Sequence, residues 1–260
     1  MRLRVANWNV RGLPRPDDQL ALLATQDADI VLLQDVGPSA VRAVLDNRHW
    51  DSVLDTWSLE PAPSGARRGG CLIATVGAWV LAPSLRAPPL SRRLLAGTAE
   101  RAGTAVTLLS GYAPTNAGQG RAQRPAFFDA LADWLSTAMP PLVLGMDANG
   151  PRVDHPDLLR SVWWNPEEEA VLGSGAWTED ALRLWYADRP AEWKRRLRSY
   201  PNGPLADSYH RGRKGKYLRC RYDSIRVSPG IRILDVRYLY DDALRAGSDH
   251  ALVVADLSLP

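Results

Sequence analysis

Cysteine is nearly absent from this chain of 260 residues. Only Cys71 and Cys220 occur, far apart and in neither a CxxC nor a zinc-ligand spacing. A disulfide-stapled scaffold and a structural zinc site are therefore excluded. Long apolar runs are also missing, since no stretch approaches the roughly 18 residues of a membrane helix. The opening Met1-Arg2-Leu3-Arg4-Val5-Ala6-Asn7-Trp8 carries no apolar secretion segment. A soluble, cytoplasmic protein without a membrane partner is expected. Lysine is confined to Lys194, Lys214 and Lys216, so arginine supplies nearly all the positive charge. Several chemistries lack their motif. There is no G-x-S-x-G nucleophile elbow, no phosphate-binding G-x-x-x-x-G-K-[ST] and no dinucleotide fingerprint.

What is present favours a large folded unit. Hydrophobic residues make up 45% of the chain and ten are Trp, which is enough to build a sizeable core. No internal repeat or low-complexity segment breaks the chain. One domain over 1–260, acting as a monomer, is the expected organisation. Most Trp residues read as packing, and Trp163-Trp164 is the pair best placed for a surface role. The net charge of +3 conceals an asymmetry. Twelve Lys/Arg and three acids fall between Arg189 and Arg226, a local net of +9, against −6 for the remainder. Such a basic segment implies either an anionic partner or a solvated basic face.

Periodicity places strands at Leu3–Trp8, Asp29–Gln34, Cys71–Val76, Trp79–Ala82, Ala105–Gly111, Pro141–Leu144, Ile225–Val227, Ile231–Tyr238 and Ala251–Leu257. Helices are expected after Asp17-Asp18, over Val41–Leu45, through Phe127–Leu135, and over Thr178–Ala187 and Pro190–Ser199. Strands interleaved with helices give an α/β protein. Several neighbouring strands lack a helical crossover, which points to mixed sheets.

Polar motifs collect at the ends of these strands. Trp8-Asn9, Gln34-Asp35, Tyr112 and Asp147-Ala148-Asn149 follow apolar runs, while Tyr222-Asp223 and Asp249-His250 precede them. An α/β scaffold builds an active site in this way. The inventory is Asp35, Asp147, Asp223 and Asp249, the amides Asn9 and Asn149, one phenol and one imidazole. Oxygen-rich ligands suit Mg²⁺ or Mn²⁺ rather than zinc. Amide, phenol and imidazole donors would stabilise charge on phosphate oxygens. Each piece also has a plain structural reading, such as an Asx-turn at Asp147 or a core position for Tyr112. His49 and His155 read as loop residues, and His210 as solvated or substrate-facing.

Taken in order, Trp8-Asn9-Val10, Leu33-Gln34-Asp35, Tyr112-Ala113-Pro114, Gly145-Met146-Asp147-Ala148-Asn149, Arg221-Tyr222-Asp223 and Gly247-Ser248-Asp249-His250 resemble the endonuclease/exonuclease/phosphatase superfamily. Asn116-Ala117-Gly118-Gln119-Gly120 after Tyr112, and Pro204-Leu205-Ala206-Asp207-Ser208, are similar to the exonuclease III-like apurinic endonucleases. The resemblance implies a four-layered α/β sandwich of the DNase I-like kind, two packed mixed β-sheets flanked by helices. It also implies a Mg²⁺-dependent phosphodiesterase, with Mn²⁺ able to substitute, that cuts DNA and serves DNA repair. Asp35 would hold the metal with help from Asn9, and Asp249 would lie near it. Asp147 would position or deprotonate the attacking water, and Asn149 would bind the scissile phosphate. His250, its tautomer fixed by Asp223, would contact a phosphate oxygen, and Tyr112 would stabilise the pentacovalent phosphate. Asn116, Arg211, Arg213, Lys214, Lys216 and Arg219 would contact the nucleic acid.

The chain departs from that pattern in three places. Asp35 stands where these enzymes usually have the longer Glu, and Arg11 replaces an often acidic residue. Lys214–Arg219 has no aromatic pair of the sort that lines an abasic-sugar pocket. Two alternatives therefore stay open: a hydrolase of RNA or of a small phosphoester, and a nucleic-acid-binding module with weakened catalysis.

Overall fold

A computed structural model of the protein describes residues 1–59, 69–84, 92–115, 117–150, 166–173, 177–201, 203–213 and 216–260. The chain starts with β1 (Arg2–Asn9), α1 (Pro16–Ala24), β2 (Ile30–Val36), α2 (Pro38–Asp46), β3 (Ser52–Asp55), α3 (Thr56–Leu59), β4 (Gly70–Thr75) and β5 (Val80–Pro83). It continues through β6 (Leu94–Arg101), β7 (Thr104–Tyr112), α4 (Gly118–Leu135), β8 (Leu142–Asp147), α5 (Pro166–Leu172), β9 (Glu179–Asp180), α6 (Ala181–Ala187) and α7 (Pro190–Ser199). A hairpin of β10 (Tyr209–Arg213) and β11 (Lys216–Cys220) precedes β12 (Asp223–Val227), β13 (Arg232–Leu239), α8 (Tyr240–Ala246) and β14 (Leu252–Ser258). Proline in the first turn fixes the start of α1, α2 and α7, where its missing N–H costs nothing.

Two six-stranded sheets result, ordered β13-β14-β1-β2-β4-β3 and β5-β6-β7-β8-β12-β9. Each is antiparallel except for one central parallel pair, β1 with β2 and β7 with β8. Parallel neighbours need a crossover, and α1 and α4 supply the two. Alternation along the strands then sorts the side chains into layers. On β1, Leu3 and Val5 join Ile30, Leu32, Leu108, Val143 and Ile225 in the core between the sheets. Ala6 and Trp8 point outward, into a layer with Leu20 and Leu23 of α1 and Val41 and Val44 of α2. Phe127, Phe128 and Leu131 of α4 cover Leu109, Leu144 and Met146 on the far side. This is the expected four-layered mixed sandwich. No helix of the described residues is long and apolar enough to cross a membrane.

The expected strands and helices fall on elements of the fold, with one correction. Thr178–Ala187 is not one helix: Glu179–Asp180 pairs with β12 before α6 begins. The reason is Asp180, whose Oδ1 accepts from Leu182 N and Arg183 N and so sets the helix start. Strands β3 and β6, the β10–β11 hairpin and helices α3, α5 and α8 were not anticipated.

Asp180 also qualifies the reading of the basic segment. Its Oδ2 lies 2.8 Å from Arg221 Nη2 and 3.9 Å from Arg226 Nη1, all three groups being buried. Burial alone would raise the Asp180 carboxyl, but the two guanidiniums hold it well below the usual carboxylate range. Two charges of the basic run are therefore internal supports. Asp180→Ala should lower the unfolding free energy by about 3–5 kcal/mol near neutral pH, because it removes the buried carboxylate shared by the two guanidiniums. A carboxyl depressed in the folded state stabilises above its unfolded value of about 4 and loses that contribution as pH falls. Urea unfolding at several pH values should thus show the gap between variant and wild type narrowing on acidification.

Candidate active site

The inward face of the sandwich changes from apolar to polar towards one end. On β1 the inward residues run Leu3, Val5, Asn7 and Asn9, and on β8 they run Val143, Gly145 and Asp147. Gln34 is fully buried and spans the sheets, donating from Nε2 to Asn7 Oδ1 at 2.8 Å and to Ser110 Oγ at 2.9 Å. Ser110 donates onward to the Leu33 carbonyl. Gly145 is required here, because a Cβ would run into Asn7 Oδ1 and Leu32. This polar layer forms the floor of the site.

Above it, strand register fixes the reactive groups. Asp147 is the register partner both of Tyr112 on parallel β7 and of Asp223 on antiparallel β12. Asp147 and Asp223 are both fully buried. His250 stands immediately before β14, with Nδ1 2.9 Å from Asp223 Oδ2 and 4.0 Å from Asp147 Oδ2. Its backbone is held on both sides, since Trp8 Nε1 donates to its carbonyl and its N–H donates to Ser248 Oγ. With Nδ1 facing Asp223, Nε2 is the nitrogen left for the cavity. Burial opposes charge on the imidazole, but Asp223, Asp147 and Asp249 outweigh it and push its pKa up.

Asp147 is solvated by amides in place of water. Asn9 Nδ2 donates to its Oδ2 at 2.7 Å, and the Asn149 N–H donates to its Oδ1 at 2.8 Å. Burial still raises this carboxyl above the ordinary carboxylate range, and Asp223 adds to the shift against the pull of His250. Asn149 sits at φ +47, a left-handed conformation that Asn tolerates. Its Nδ2 donates to the Ala113 carbonyl. Burial, Asp35 and Asp147 push the Tyr112 hydroxyl up, so it stays a neutral donor.

A cavity of about 380 Å³ opens over this group, lined by Asn9, Asp35, Tyr112, Asn149, Asp249 and His250. Seven of the eight residues expected to act in catalysis or metal binding thus meet its walls or lie directly beneath them, and Asp223 backs His250. Asp35 has φ +53 and falls where the pairing of β2 with β4 shifts register, between Gln34 and Val36. Such a bulge re-aims one side chain. Here it delivers the short carboxylate into the cavity, a feature that residue spacing does not disclose.

Asp35, Asp249 and Asn9 line this cavity, and although the Asn9 Oδ1 accepts from the Arg11 N–H at 2.9 Å it keeps a second lone pair, so their oxygens fit a hard divalent cation. Asp147, Asp223 and His250 also bring ligand atoms within 4.8 Å of one another, but His250 Nδ1 is already engaged by Asp223. Arg11 enters the same cavity, 3.8 Å from Asp249 Oδ1 in an exposed and therefore weak ion pair.

The structure adds residues that the sequence reading passed over. Tyr209 and Tyr222 line the cavity and stack on each other with centroids 4.8 Å apart, and Tyr209 also covers His250. An aromatic pair is therefore present, built from positions outside Lys214–Arg219. Arg124, buried on α4, donates through Nη1 to the carbonyls of Pro114 and Ala148 and through Nε to Glu168. It ties the loop after Tyr112 to the loop after Asp147. Of the expected nucleic-acid contacts, Arg211 lines the cavity, whereas Arg219 binds Asp207 and Tyr200 away from it. Arg213 and Lys216 are register partners at the hairpin turn. Asn116, Lys214, Trp163, Trp164 and His155 lie outside the described residues.

Solved structures with the same architecture span nearly the whole chain. TDP2 from D. rerio complexed with single strand DNA product superposes with TM-score 0.67 at 15% identity, covering 99% of both chains. The fold is that of the endonuclease/exonuclease/phosphatase proteins. One such protein from Beutenbergia cavernae gives TM-score 0.60 at 20% identity, over 99% of this chain and 72% of its own. A 3′ phosphatase, NExo, from Neisseria bound to a product DNA hairpin gives 0.62 at 21% identity, over 98% and 99%. These likenesses carry the superfamily fold and do not single out the exonuclease III-like branch. No family model matches the sequence, and no curated protein matches it.

The Arg124 tether can be separated from the pair it forms with Glu168. Arg124→Met should cost about 3–5 kcal/mol by removing the guanidinium paired with the buried Glu168 carboxylate, and adding Glu168→Leu should restore most of that loss. Amide exchange at Ala148 and Asn149 should remain faster than wild type in both variants. Wild-type protection in the double variant would show that the carbonyl contacts do not hold the loop.

Proposed function

We propose that residues 1–260 form one catalytic domain that hydrolyses phosphodiester bonds in nucleic acid, DNA in preference, with Mg²⁺ and with Mn²⁺ as a substitute. One observation carries this reading. A buried Asp147, solvated by Asn9 and Asn149, lies beside an imidazole whose Nδ1 is engaged by Asp223, under a cavity bearing two further acids. The DNA products named with two of the similar structures support the substrate class.

Asp35, Asp249 and Asn9 Oδ1 would hold the cation. When bound, it supplies charge neutralisation at the phosphate oxygens. Asp147 accepts a proton as the O–H bond of the attacking water breaks and the new P–O bond forms, and its raised proton affinity suits that task. The opposite P–O bond breaks in line, and the leaving strand oxygen takes a proton from solvent water to become the free hydroxyl. His250 donates from Nε2 to a non-bridging oxygen and Asp223 holds the ring orientation. The Tyr112 hydroxyl donates to the same phosphate, where charge accumulates in the transition state, and Asn149 Nδ2 would join it by exchanging its 3.2 Å bond to Asp147 Oδ2 while keeping the one to the Ala113 carbonyl.

The decisive assay offers duplex, single-stranded, nicked and abasic DNA, with RNA and a phosphomonoester alongside. Cleavage of DNA should vanish in EDTA and return with Mg²⁺ or Mn²⁺. Asp35→Ala should abolish it and Asp35→Glu should keep it, since Glu restores the longer reach. Full activity of Asp35→Ala in chelator would remove the metal assignment, and a rate confined to RNA or the monoester would replace the substrate.

His250 and Asp223 should act as one unit. Removing either should cost about 10²–10⁴-fold in kcat. The double variant should lose no more than about threefold beyond that. Losses that add fully in log rate would assign the two residues independent roles.

A further inference from the structure

A second cavity, of about 720 Å³, is larger than the catalytic one and shares a wall with it. The wall is β10. Successive strand residues face opposite sides, so Tyr209 lines the catalytic cavity while His210 lines the second. Planar groups dominate this second space. The guanidiniums of Arg196 and Arg219 lie over the Tyr200 ring at 3.7 and 5.0 Å, and His210 stacks on Tyr240 at 4.1 Å. Its charges leave no positive excess, because Arg195, Arg196 and Arg219 meet four acids, Glu192, Asp207, Asp241 and Asp242. Arg195 pairs with Glu192, while Arg196 and Arg219 pair with Asp207. A phosphate gains nothing from such a lining, whereas a neutral planar group does.

Its hydrogen-bonding capacity points the same way. Six buried side-chain atoms among the described residues make no hydrogen bond, and three of them, Trp185 Nε1, Asp207 Oδ1 and His210 Nε2, belong to this lining. Unsatisfied buried groups are costly and call for a reason. They lie just behind the cavity surface and supply a donor, an acceptor and an imidazole nitrogen, which small side-chain rotations would bring to the amino and carbonyl edge of a heterocycle. Arg196, at 3.5 Å, only loosely covers Asp207 Oδ1 and can yield it.

We propose that this cavity holds an unpaired nucleobase of the same strand whose phosphate occupies the catalytic cavity. The base stacks on the planar groups and bonds to Trp185 and Asp207. The proposal rests on the nuclease reading for its choice of ligand, but its test does not depend on cleavage. The intact protein is titrated with free 2-aminopurine nucleoside, which carries no phosphate and loses fluorescence on stacking. Saturable quenching is expected. Tyr200→Leu should weaken it about tenfold, the scale of one base–aromatic contact. Asp207→Asn, which keeps the shape, should weaken it too, and His250→Ala in the neighbouring cavity should leave it unchanged. Inorganic phosphate should not compete. Absence of saturable quenching overturns the proposal, as does competition by phosphate. Loss in His250→Ala with retention in Asp207→Asn would move the base into the catalytic cavity and also overturn it. A binding result of either kind, set against the cleavage panel, keeps failure of the base site apart from failure of the nuclease reading.

Discussion

Two fully buried carboxylates, Asp147 and Asp223, face each other across adjacent strands, and much of the surrounding structure answers to that fact. Like charges so placed cannot both remain ionised in a low-dielectric interior without compensation. His250 provides it by lying against Asp223 and within reach of Asp147. The imidazole is in turn clamped by Trp8 and Ser248, and Ser248 donates to the carbonyl of Asn9. Asn9 then spends its own amide on Asp147. The ring of contacts closes on itself through β1, β8, β12 and the segment leading into β14, so no member can be displaced without unsatisfying another. Fully satisfied polar networks of this kind rigidify a site.

That closure depends on the two central parallel pairs. Parallel strands end on the same side, so β1 and β2 deliver Asn9 and Asp35 together, and β7 and β8 deliver Tyr112 and Asp147. Antiparallel β12 and β14 run the other way, which is why Asp223 and His250 sit at strand starts. The placement of polar motifs after some apolar runs and before others is the sequence image of this mixed topology. It let the site residues be grouped from the chain alone, together with the α/β class and the core strands.

Other features were not legible, for identifiable reasons. The β10–β11 hairpin carries Arg211, Arg213, Lys216 and Arg219, and its charges hid the alternation that marks a strand. The basic run looked like one anion-binding surface because net charge ignores partners. Arg221 and Arg226 are spent on Asp180, and Arg196 and Arg219 on Asp207. Arg124 was invisible because a buried arginine on an amphipathic helix reads as a surface residue until the carbonyls it binds are known. The bulge at Asp35 leaves no signature beyond an aspartate where a longer side chain was anticipated.

Asp35 and Arg11 belong to one argument about charge. A hard cation favours carboxylates, and the cavity offers two, yet Arg11 already sits against Asp249. Both partners are substantially exposed, at 56% and 40%, so the pair is worth no more than about 1 kcal/mol. A divalent ion shared by Asp35 and Asp249 would readily displace it. The guanidinium would then be released within the cavity that Arg211 also lines. Two arginines beside an occupied site favour an anionic chain over a neutral ligand. The aromatic lining on the other side of β10, which has no positive excess, favours the reverse. One strand thus separates the space proposed for the phosphate backbone from the space proposed for a base.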